Sequence, residues 1–120
     1  MSWQKSSPQL LEAFDRLMAR AEGAERRQMF GYPTGYVNGN WFIGCYQGND
    51  LVLRLSEPDR ERFLTLEGAR RFEPTPGRVM REFVVVPWWL VNDDAQMLDW
   101  VKKSMEYSTG LPQKKKKAKS

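Results

Sequence analysis

The chain has 120 residues, which suits one domain with a single apolar core. It has one cysteine and therefore no intramolecular disulfide, and its first residues lack the pattern of a signal peptide. No apolar run approaches the roughly 20 residues that cross a bilayer. We therefore expect a cytoplasmic protein without a membrane segment. The formal net charge of +4 comes from residues 113–120, which hold five lysines and no acid, so the remainder is near neutral and a nucleic-acid-binding face on the domain itself is disfavoured.

The first element is a helix that begins at Ser7, because a serine before Pro8 is a favourable N-cap and first-turn pair. Apolar residues then recur at helical spacing, and Gly23 is placed to end the helix. A short strand at residues 26–30 follows. The Gly and Pro content of residues 31–35 indicates a turn after it.

Two consecutive hairpins form the strongest pattern in the chain. The pair Asn38-Gly39 lies between aromatic and β-branched residues and predicts a two-residue turn, because both turn positions need positive φ. This turn places Tyr36 opposite Trp41 and predicts Gly35 opposite Phe42.

The second turn, at residues 47–50, leads to a strand at 51–55 and places Tyr46 opposite Leu51. Because side chains alternate between the faces of a sheet, the two hairpins predict two different faces. The face expected to meet the helices holds Val37, Phe42, Tyr46, Leu51, Leu53 and Leu55. The opposite face holds Tyr36, Trp41, Ile43, Cys45, Val52 and Arg54. This second set is too apolar for a fully hydrated surface.

The second half of the chain adds a crossover helix from Ser56 or Glu57 to about Leu66, a loop at 72–77 and a fifth strand at 79–86. A connector or single helical turn at 88–91 precedes a last helix from Ala95 to about Tyr107. The order α-β-β-β-β-α-β-α predicts an α+β fold: an antiparallel sheet of about five strands, with the helices on one face.

Three segments together carry a family resemblance: RQMFG at 27–31, GYVNG at 35–39 and LVLRL at 51–55. With Val86-Pro87 and the acid-capped last helix, they make the chain similar to the amino-terminal domain family of TfoX (Sxy), the bacterial competence regulator, over residues 8–110. The resemblance is to a stand-alone single-domain member. It implies a compact α+β domain related in shape to the YjbR and CyaY-like group, small regulatory or uncharacterised proteins, and no catalytic residues to carry over.

The domain is expected to span residues 1–111, followed by a disordered lysine-rich tail at 112–120. No set of acid, base, nucleophile or metal ligands is apparent, so we expect no enzyme, no metal and no cofactor. Without histidine there is no histidine triad or histidine metal site. Cys45 reads as a packed cysteine, and Asp93-Asp94 as helix caps.

Two groups of residues are candidate contact sites. The aromatic and apolar set on the second sheet face is a candidate surface for a protein partner or a second copy of the chain: Tyr36, Trp41, Ile43 and Val52. The alternative is that the same chain covers them, through Trp88-Trp89 or through Trp3. The lysine run is a candidate site for an anionic partner, including weak non-specific nucleic acid: Lys114, Lys115, Lys116 and Lys117. Its alternative is a tail without a specific ligand.

These observations predict a small, non-enzymatic bacterial domain that acts as a regulator or adaptor through protein contacts. The alternative function is a nucleic-acid-associated accessory protein that uses the basic tail.

Overall fold

A six-stranded antiparallel sheet carries four helices on one side in the computed structural model, which describes residues 5–112. The helices are α1 (Pro8–Ala19), α2 (Glu57–Phe63), α3 (Trp88–Val91) and α4 (Asp94–Gly110). The strands are β1 (Glu25–Met29), β2 (Tyr32–Val37), β3 (Asn40–Tyr46), β4 (Asp50–Arg54), β5 (Arg70–Thr75) and β6 (Arg78–Val85). Their spatial order is β1-β2-β3-β4-β6-β5. The predicted α+β class is confirmed.

Side-chain caps begin the helices where the sequence indicated. The Leu10 N–H donates to Ser7 Oγ at 3.1 Å at the start of α1. Ser56 caps α2, and the Gln96 N–H donates to an Asp93 carboxylate oxygen at 3.1 Å at the start of α4. These caps satisfy backbone donors that have no partner within a helix.

The sixth strand corrects the prediction of about five strands. Residues 72–77 were expected to form a loop, but β5 occupies most of this segment and pairs antiparallel with β6 through a turn at Pro76-Gly77. The strand was not predicted because it contains Glu73 and Pro74, and both residue types are rare in strands. Proline is tolerated here because β5 lies at the edge of the sheet.

The turn predicted at residues 31–35 is also wrong in position. The chain reverses over Phe30 and Gly31, whose φ angles are 56° and 84°, and β2 already begins at Tyr32. Pro33 and Gly35 therefore lie inside a strand, where their composition alone suggested a turn.

The register of the central hairpins agrees with the prediction at the turn and departs from it farther along. Tyr36 lies opposite Trp41, as predicted, but Gly35 lies opposite Ile43. Phe42 is thus an extra residue in β3, which is the definition of a β-bulge. The next connection has three residues, so Tyr46 lies opposite Asp50 and not opposite Leu51.

The bulge changes which side chains face the helices. Ile43 and Cys45, predicted on the opposite face, are buried in the core between sheet and helices. Trp41, Val52 and Arg54 remain on the side without helices, which we call the open face. A smaller apolar cluster lies there: Val52, Phe72, Phe83 and Val85, with Trp41 and Tyr46 packed against it.

The hairpin turn between β2 and β3 also caps the C-terminus of α4. The buried Asn40 donates through Nδ2 to the carbonyl oxygens of Ser108, at 3.0 Å, and Pro112, at 3.2 Å. Asn38 Nδ2 donates to the Thr109 carbonyl at 3.1 Å. The turn thus satisfies carbonyl groups that a helix leaves without partners at its C-terminus.

Within residues 5–112, no helix combines the length and the apolar composition that a bilayer crossing requires. The candidate lysines Lys114, Lys115, Lys116 and Lys117 lie outside the described residues. The predicted domain boundary at residue 111 stays a prediction.

Asn40→Asp tests the cap of α4. The carboxylate would meet two carbonyl oxygens and the negative end of the helix dipole, so we expect the free energy of unfolding to fall by about 1–3 kcal/mol at pH 7. Urea unfolding followed by circular dichroism measures it. Asn49→Asp is the matched control, because Asn49 accepts a hydrogen bond from Ser7 Oγ through Oδ1 and a carboxylate keeps that acceptor. Equal loss in both variants would contradict the capping role.

A candidate binding cavity on the open face of the sheet

The β5–β6 hairpin covers part of the open face. Its register is irregular on both sides of Phe72, and such irregularities bend a strand pair. The Phe72 ring packs edge-on against Tyr46, at 5.0 Å between ring centroids, and lies 6.4 Å from Phe83. The Tyr46 hydroxyl donates to the Pro74 carbonyl at 3.1 Å. The apolar set of the open face is therefore covered in part by the same chain.

Trp41 folds back along its own strand. Its indole Nε1 donates to the Ile43 carbonyl at 2.8 Å, and its ring lies 4.2 Å from that of Phe83. The missing side chain of Gly44 makes this possible, since a Cβ at that position would lie 2.9 Å from Nε1. The half-buried Trp41 is thus a wall of the open face and does not project from it.

Between the two outer hairpins lies a cavity of about 170 Å³, which we call the sheet cavity. Met29, Phe30, Tyr32 and Thr34 line it from the β1–β2 hairpin. Trp41, Cys45 and Tyr46 line it from β3, and Phe72, Pro74 and Met80 from the β5–β6 hairpin. The lining is almost entirely apolar or aromatic, which is typical of a ligand site.

Thr34 is the polar exception in this lining. Its side chain is 1% exposed, and its Oγ1 has no hydrogen-bond partner among the described residues. A buried hydroxyl without a partner costs about 1–3 kcal/mol, and most such groups are paired in native proteins. The other buried side-chain oxygen without a partner in residues 5–112 is that of Ser108, which lies on α4 and does not line the cavity.

Phe30 stands at the rim of the sheet cavity. It is 84% exposed, the highest value among the large apolar residues in the described part of the chain, and its φ of 56° lies in the left-handed region. That conformation is unusual for a bulky residue without a hydrogen-bonding side chain. The sequence placed Phe30 at the end of the strand expected at 26–30, so only the structure puts it in the turn.

The four predicted partner-surface residues do not form one shared surface. Tyr36 is half-buried, and the Arg27 guanidinium carbon lies 4.4 Å from the centroid of the Tyr36 ring. Trp41 lines the cavity. Ile43 and Val52 are 1% and 0% exposed, so neither presents a surface to a partner. A partner role for Tyr36 and Trp41 stays a prediction.

Two of the tryptophans named as possible covers, Trp88 and Trp89, do not supply the cover seen on the open face. Trp88 packs on the helix side of the sheet, and the indole of Trp89 donates to the Glu67 carbonyl at 2.7 Å. Trp3 lies outside the described residues.

Reactive groups are scarce around the cavity. Burial raises the pKa of the Cys45 thiol to about 12, so the thiol is protonated at neutral pH. Within residues 5–112, no three His, Cys, Asp or Glu side chains are placed to hold a metal ion. Asp93 caps α4, as its position in the sequence indicated.

A larger groove of about 640 Å³ lies between the end of α1 and α4. Its floor is apolar, with Leu98, Val101 and Met105, and its rim carries charges of both signs, such as Glu22 and Lys102. Neither of the two unpartnered buried oxygens lines it. The sheet cavity is therefore the better-defined candidate site.

The arginines of the described chain are mostly held by acids. Arg26 pairs with Asp15, Arg54 donates to Glu82 at 2.8 Å, and Arg70 donates to Asp50 at 3.0 Å. This arrangement gives the surface mixed charge, since ion pairs of this kind leave little net positive field.

The family model of the TfoX N-terminal domain matches residues 16–108. The chain belongs to the TfoX N-terminal domain family. The predicted resemblance is thus confirmed over most of the chain. All residues that line the sheet cavity lie within the matched segment. The search of curated proteins found no match.

Gly44→Ala tests how the cavity wall is built. The new Cβ would lie 2.9 Å from both Trp41 Nε1 and Thr34 Cγ2, so the indole must shift and we expect a loss of about 1–3 kcal/mol. Urea unfolding measures the loss, and near-ultraviolet circular dichroism reports the indole. Gly110→Ala is the matched control, because nothing lies within 4 Å of a Cβ there. It should be neutral or slightly stabilising. An unchanged near-ultraviolet spectrum of Gly44→Ala would contradict the proposed packing.

Cys45 provides a test of burial in the core between the sheet and the helices. Because only the thiolate reacts and burial raises the pKa of this thiol to about 12, the native chain should resist alkylation by iodoacetamide at pH 8. The same chain in concentrated urea should react at the rate of a free cysteine. Mass spectrometry against time measures both rates. Rapid labelling of the native chain would show that Cys45 is accessible.

Proposed function

We propose that this member of the TfoX N-terminal domain family is a non-enzymatic regulatory or adaptor module, which contacts a protein partner through Phe30 and the sheet cavity. The observation that carries the proposal is the combination at Phe30 of high exposure and a left-handed backbone, at the rim of an apolar cavity. The proposal also rests on the membership of the chain in the TfoX N-terminal domain family.

The position of Phe30 is unfavourable in the isolated chain for two reasons. A left-handed φ costs a residue with a side chain about 1–2 kcal/mol. At 84% exposure most of the Phe30 side chain lies in water, which forgoes much of the about 1.5–3 kcal/mol that full burial of a phenylalanine supplies. A partner that covers the ring would recover the second amount. Residues that depart from local preferences in this way cluster at functional positions.

The surroundings of Phe30 extend the apolar surface. Met80 is 36% exposed and lines the same cavity from the opposite hairpin, and Met29 lines it beside Phe30. Aromatic residues and methionine are enriched at the centres of protein interfaces. Contiguous exposed apolar area of this kind marks contact surfaces on small proteins.

The chemistry of the lining supports binding over catalysis. Its polar side-chain groups are the hydroxyls of Tyr32, Thr34 and Tyr46, whereas the protonated thiol of Cys45 belongs to the core on the helix side of the sheet. The Tyr46 hydroxyl is already committed to the Pro74 carbonyl. No base lies among the lining residues to activate either a hydroxyl or the thiol.

Phe30→Asn separates function from stability. Asparagine favours the left-handed region, so the free energy of unfolding should stay equal or rise by up to about 1 kcal/mol. Capture of the partner should be lost. Affinity capture from the native cytoplasm with photo-cross-linking measures binding, and light scattering reports self-association. Gln47→Asn is the matched control: Gln47 has a φ of 51° in another turn and does not line the cavity.

The proposal is wrong if Phe30→Asn captures the same proteins as the parent chain. Deleting residues 113–120 in a parallel capture separates the alternative function, a nucleic-acid-associated role of the lysine run. Five lysines within these eight residues are what supports that alternative. Binding lost with residues 113–120 and kept in Phe30→Asn would favour it.

A further inference from the structure

We infer that the β5–β6 hairpin binds an acidic segment of a partner protein through three arginines, Arg71, Arg78 and Arg81, which we call the hairpin arginines. This inference goes beyond the proposed function, because none of the three lines the sheet cavity. It is carried by the distribution of ion pairs along the chain, by the exposure of the hairpin and by the apolar residue that lies beside the arginines.

Most arginines of the described chain have a partner for their charge. Six of the eleven arginines form ion pairs with acids, and Arg60 donates to the Leu55 carbonyl at 3.1 Å. The remaining four have no ion pair, hydrogen bond or ring contact within residues 5–112: Arg20, Arg71, Arg78 and Arg81. Three of these four lie on one hairpin, so positive charge without a partner is concentrated there.

The glutamates of the hairpin are committed to other groups. The Gly77 N–H donates to Glu73 Oε2 at 2.7 Å, which fixes the turn between the two strands. Arg54 Nε of β4 donates to Glu82 at 2.8 Å. Residues 70–85 hold four arginines and two glutamates, a formal charge of +2, whereas residues 1–112 as a whole carry −1. The hairpin is therefore a local positive site on a near-neutral body.

The hairpin presents these arginines to solvent. The register of β4 with β6 covers only residues 83–85 of β6, so residues 78–81 have β5 as their strand neighbour. Residues 75–81 are all exposed, and so is Arg71. The edge-on contact of Phe72 with Tyr46 and the hydrogen bond from Tyr46 to the Pro74 carbonyl hold the hairpin on the open face. A hairpin without such contacts is only marginally stable in water.

The side chains of the hairpin favour carboxylates next to apolar groups. A guanidinium group presents a planar set of N–H donors that matches a carboxylate with two parallel hydrogen bonds, and it is more weakly hydrated than an ammonium group. Val79, which follows Arg78, is 47% exposed. The hairpin contains no lysine, and protein interfaces are enriched in arginine and depleted of lysine. A segment that alternates acidic and apolar residues would satisfy both features.

The charge of the body favours a protein segment over a nucleic acid. Nucleic acids are bound through positive charge that neutralises many successive phosphates. The formal charge of −1 on residues 1–112 offers no such extended field outside the hairpin. A phosphate backbone also has no apolar side chain to cover Val79. A short acidic segment of a protein needs only the local charge of the hairpin.

A pair of labelled peptides tests this recognition on the full-length chain. One peptide consists of glutamate, leucine and serine, and its counterpart has glutamine in place of every glutamate. Fluorescence anisotropy measures both affinities. The acidic peptide should bind about tenfold more tightly, because three exposed ion pairs contribute roughly two- to threefold each. This preference should shrink as the salt concentration rises, since salt screens exposed charges.

Substitution of the hairpin arginines by glutamine removes the charge at the site. The triple variant Arg71→Gln/Arg78→Gln/Arg81→Gln should lose about tenfold in affinity for the acidic peptide and become indifferent to the glutamine counterpart. Its thermal midpoint should stay unchanged, because the three side chains make no contacts that stabilise the fold. The matched control removes the same charge from the lysine run and should keep the preference for the acidic peptide: Lys114→Gln, Lys115→Gln and Lys116→Gln combined.

Single variants separate the arginine site from other contributions. Arg20→Gln removes an arginine that also lacks a partner but lies at the end of α1, and it should leave the affinity unchanged. Val79→Ser should weaken both peptides about equally, because it removes apolar contact and no charge. Backbone amides of residues 78–81 should shift in NMR spectra when the acidic peptide is added.

Four results would overturn the inference. Equal affinity of the parent for the two peptides would exclude recognition of carboxylates. Equal loss in the triple variant and in the lysine control would reduce the effect to net charge. Unshifted amides at 78–81 would exclude the hairpin. Tighter binding of single-stranded oligothymidylate, lost in the triple variant, would make a nucleic acid the partner of the hairpin.

The inference and the proposed function fail separately. Phe30→Asn should keep the affinity for the acidic peptide, because Phe30 lies in the turn between β1 and β2. Capture of the partner retained by Phe30→Asn would reject the proposed function and leave the peptide result standing. Capture lost in Phe30→Asn, with no preference of the parent for the acidic peptide, would keep the proposed function and reject the arginine site.

Discussion

The bulge at Phe42, opposite Gly35, is the constraint on which the rest of the structure depends. It places two consecutive residues, Phe42 and Ile43, in the core beneath the helices, where both are at most 1% exposed. Gly35 makes room for them, because a Cβ there would lie 2.7 Å from Ile43 Cγ2 and 2.8 Å from Met18 Sδ of α1. One missing side chain thus allows the sheet, the bulge and α1 to pack together.

The same bulge creates the cavity on the other side of the sheet. Along a regular strand, residues on one face are two apart. Across the bulge, Trp41 and Gly44 share the open face at a spacing of three, so the indole lies back over Gly44 and donates to the Ile43 carbonyl. Thr34, opposite Gly44, is enclosed beside it. Packing on the helix side and the shape of the cavity are therefore two consequences of one register shift.

The buried side-chain nitrogen and oxygen atoms of residues 5–112 all have hydrogen-bond partners except Thr34 Oγ1 and Ser108 Oγ. Asn40 caps α4, and Ser104 donates to the Phe42 carbonyl at 3.1 Å. At the cavity, by contrast, Thr34 lacks a partner and Phe30 combines a left-handed backbone with exposure. Both features reduce the stability of the isolated chain. Such concentrated exceptions are expected where a protein trades stability for binding.

Local signals in the sequence were enough to predict the helix starts at Ser7, at Ser56 or Glu57 and at Asp93-Asp94, together with the Asn38-Gly39 turn, the α+β class and the family. Each depends on residues close together in the chain, such as a cap and its helix or a turn and its two flanking strands. The tertiary structure decided the strand status of 70–75, the faces of Ile43 and Cys45, and the cavity. The edge strand β5 contains a proline and gains its sheet hydrogen bonds only from β6. The bulge at Phe42 depends on what packs on both faces of the sheet. The sheet cavity is lined by hairpins about 40 residues apart in the chain. None of these interactions is encoded in a local pattern, because the partners meet only after the chain has folded.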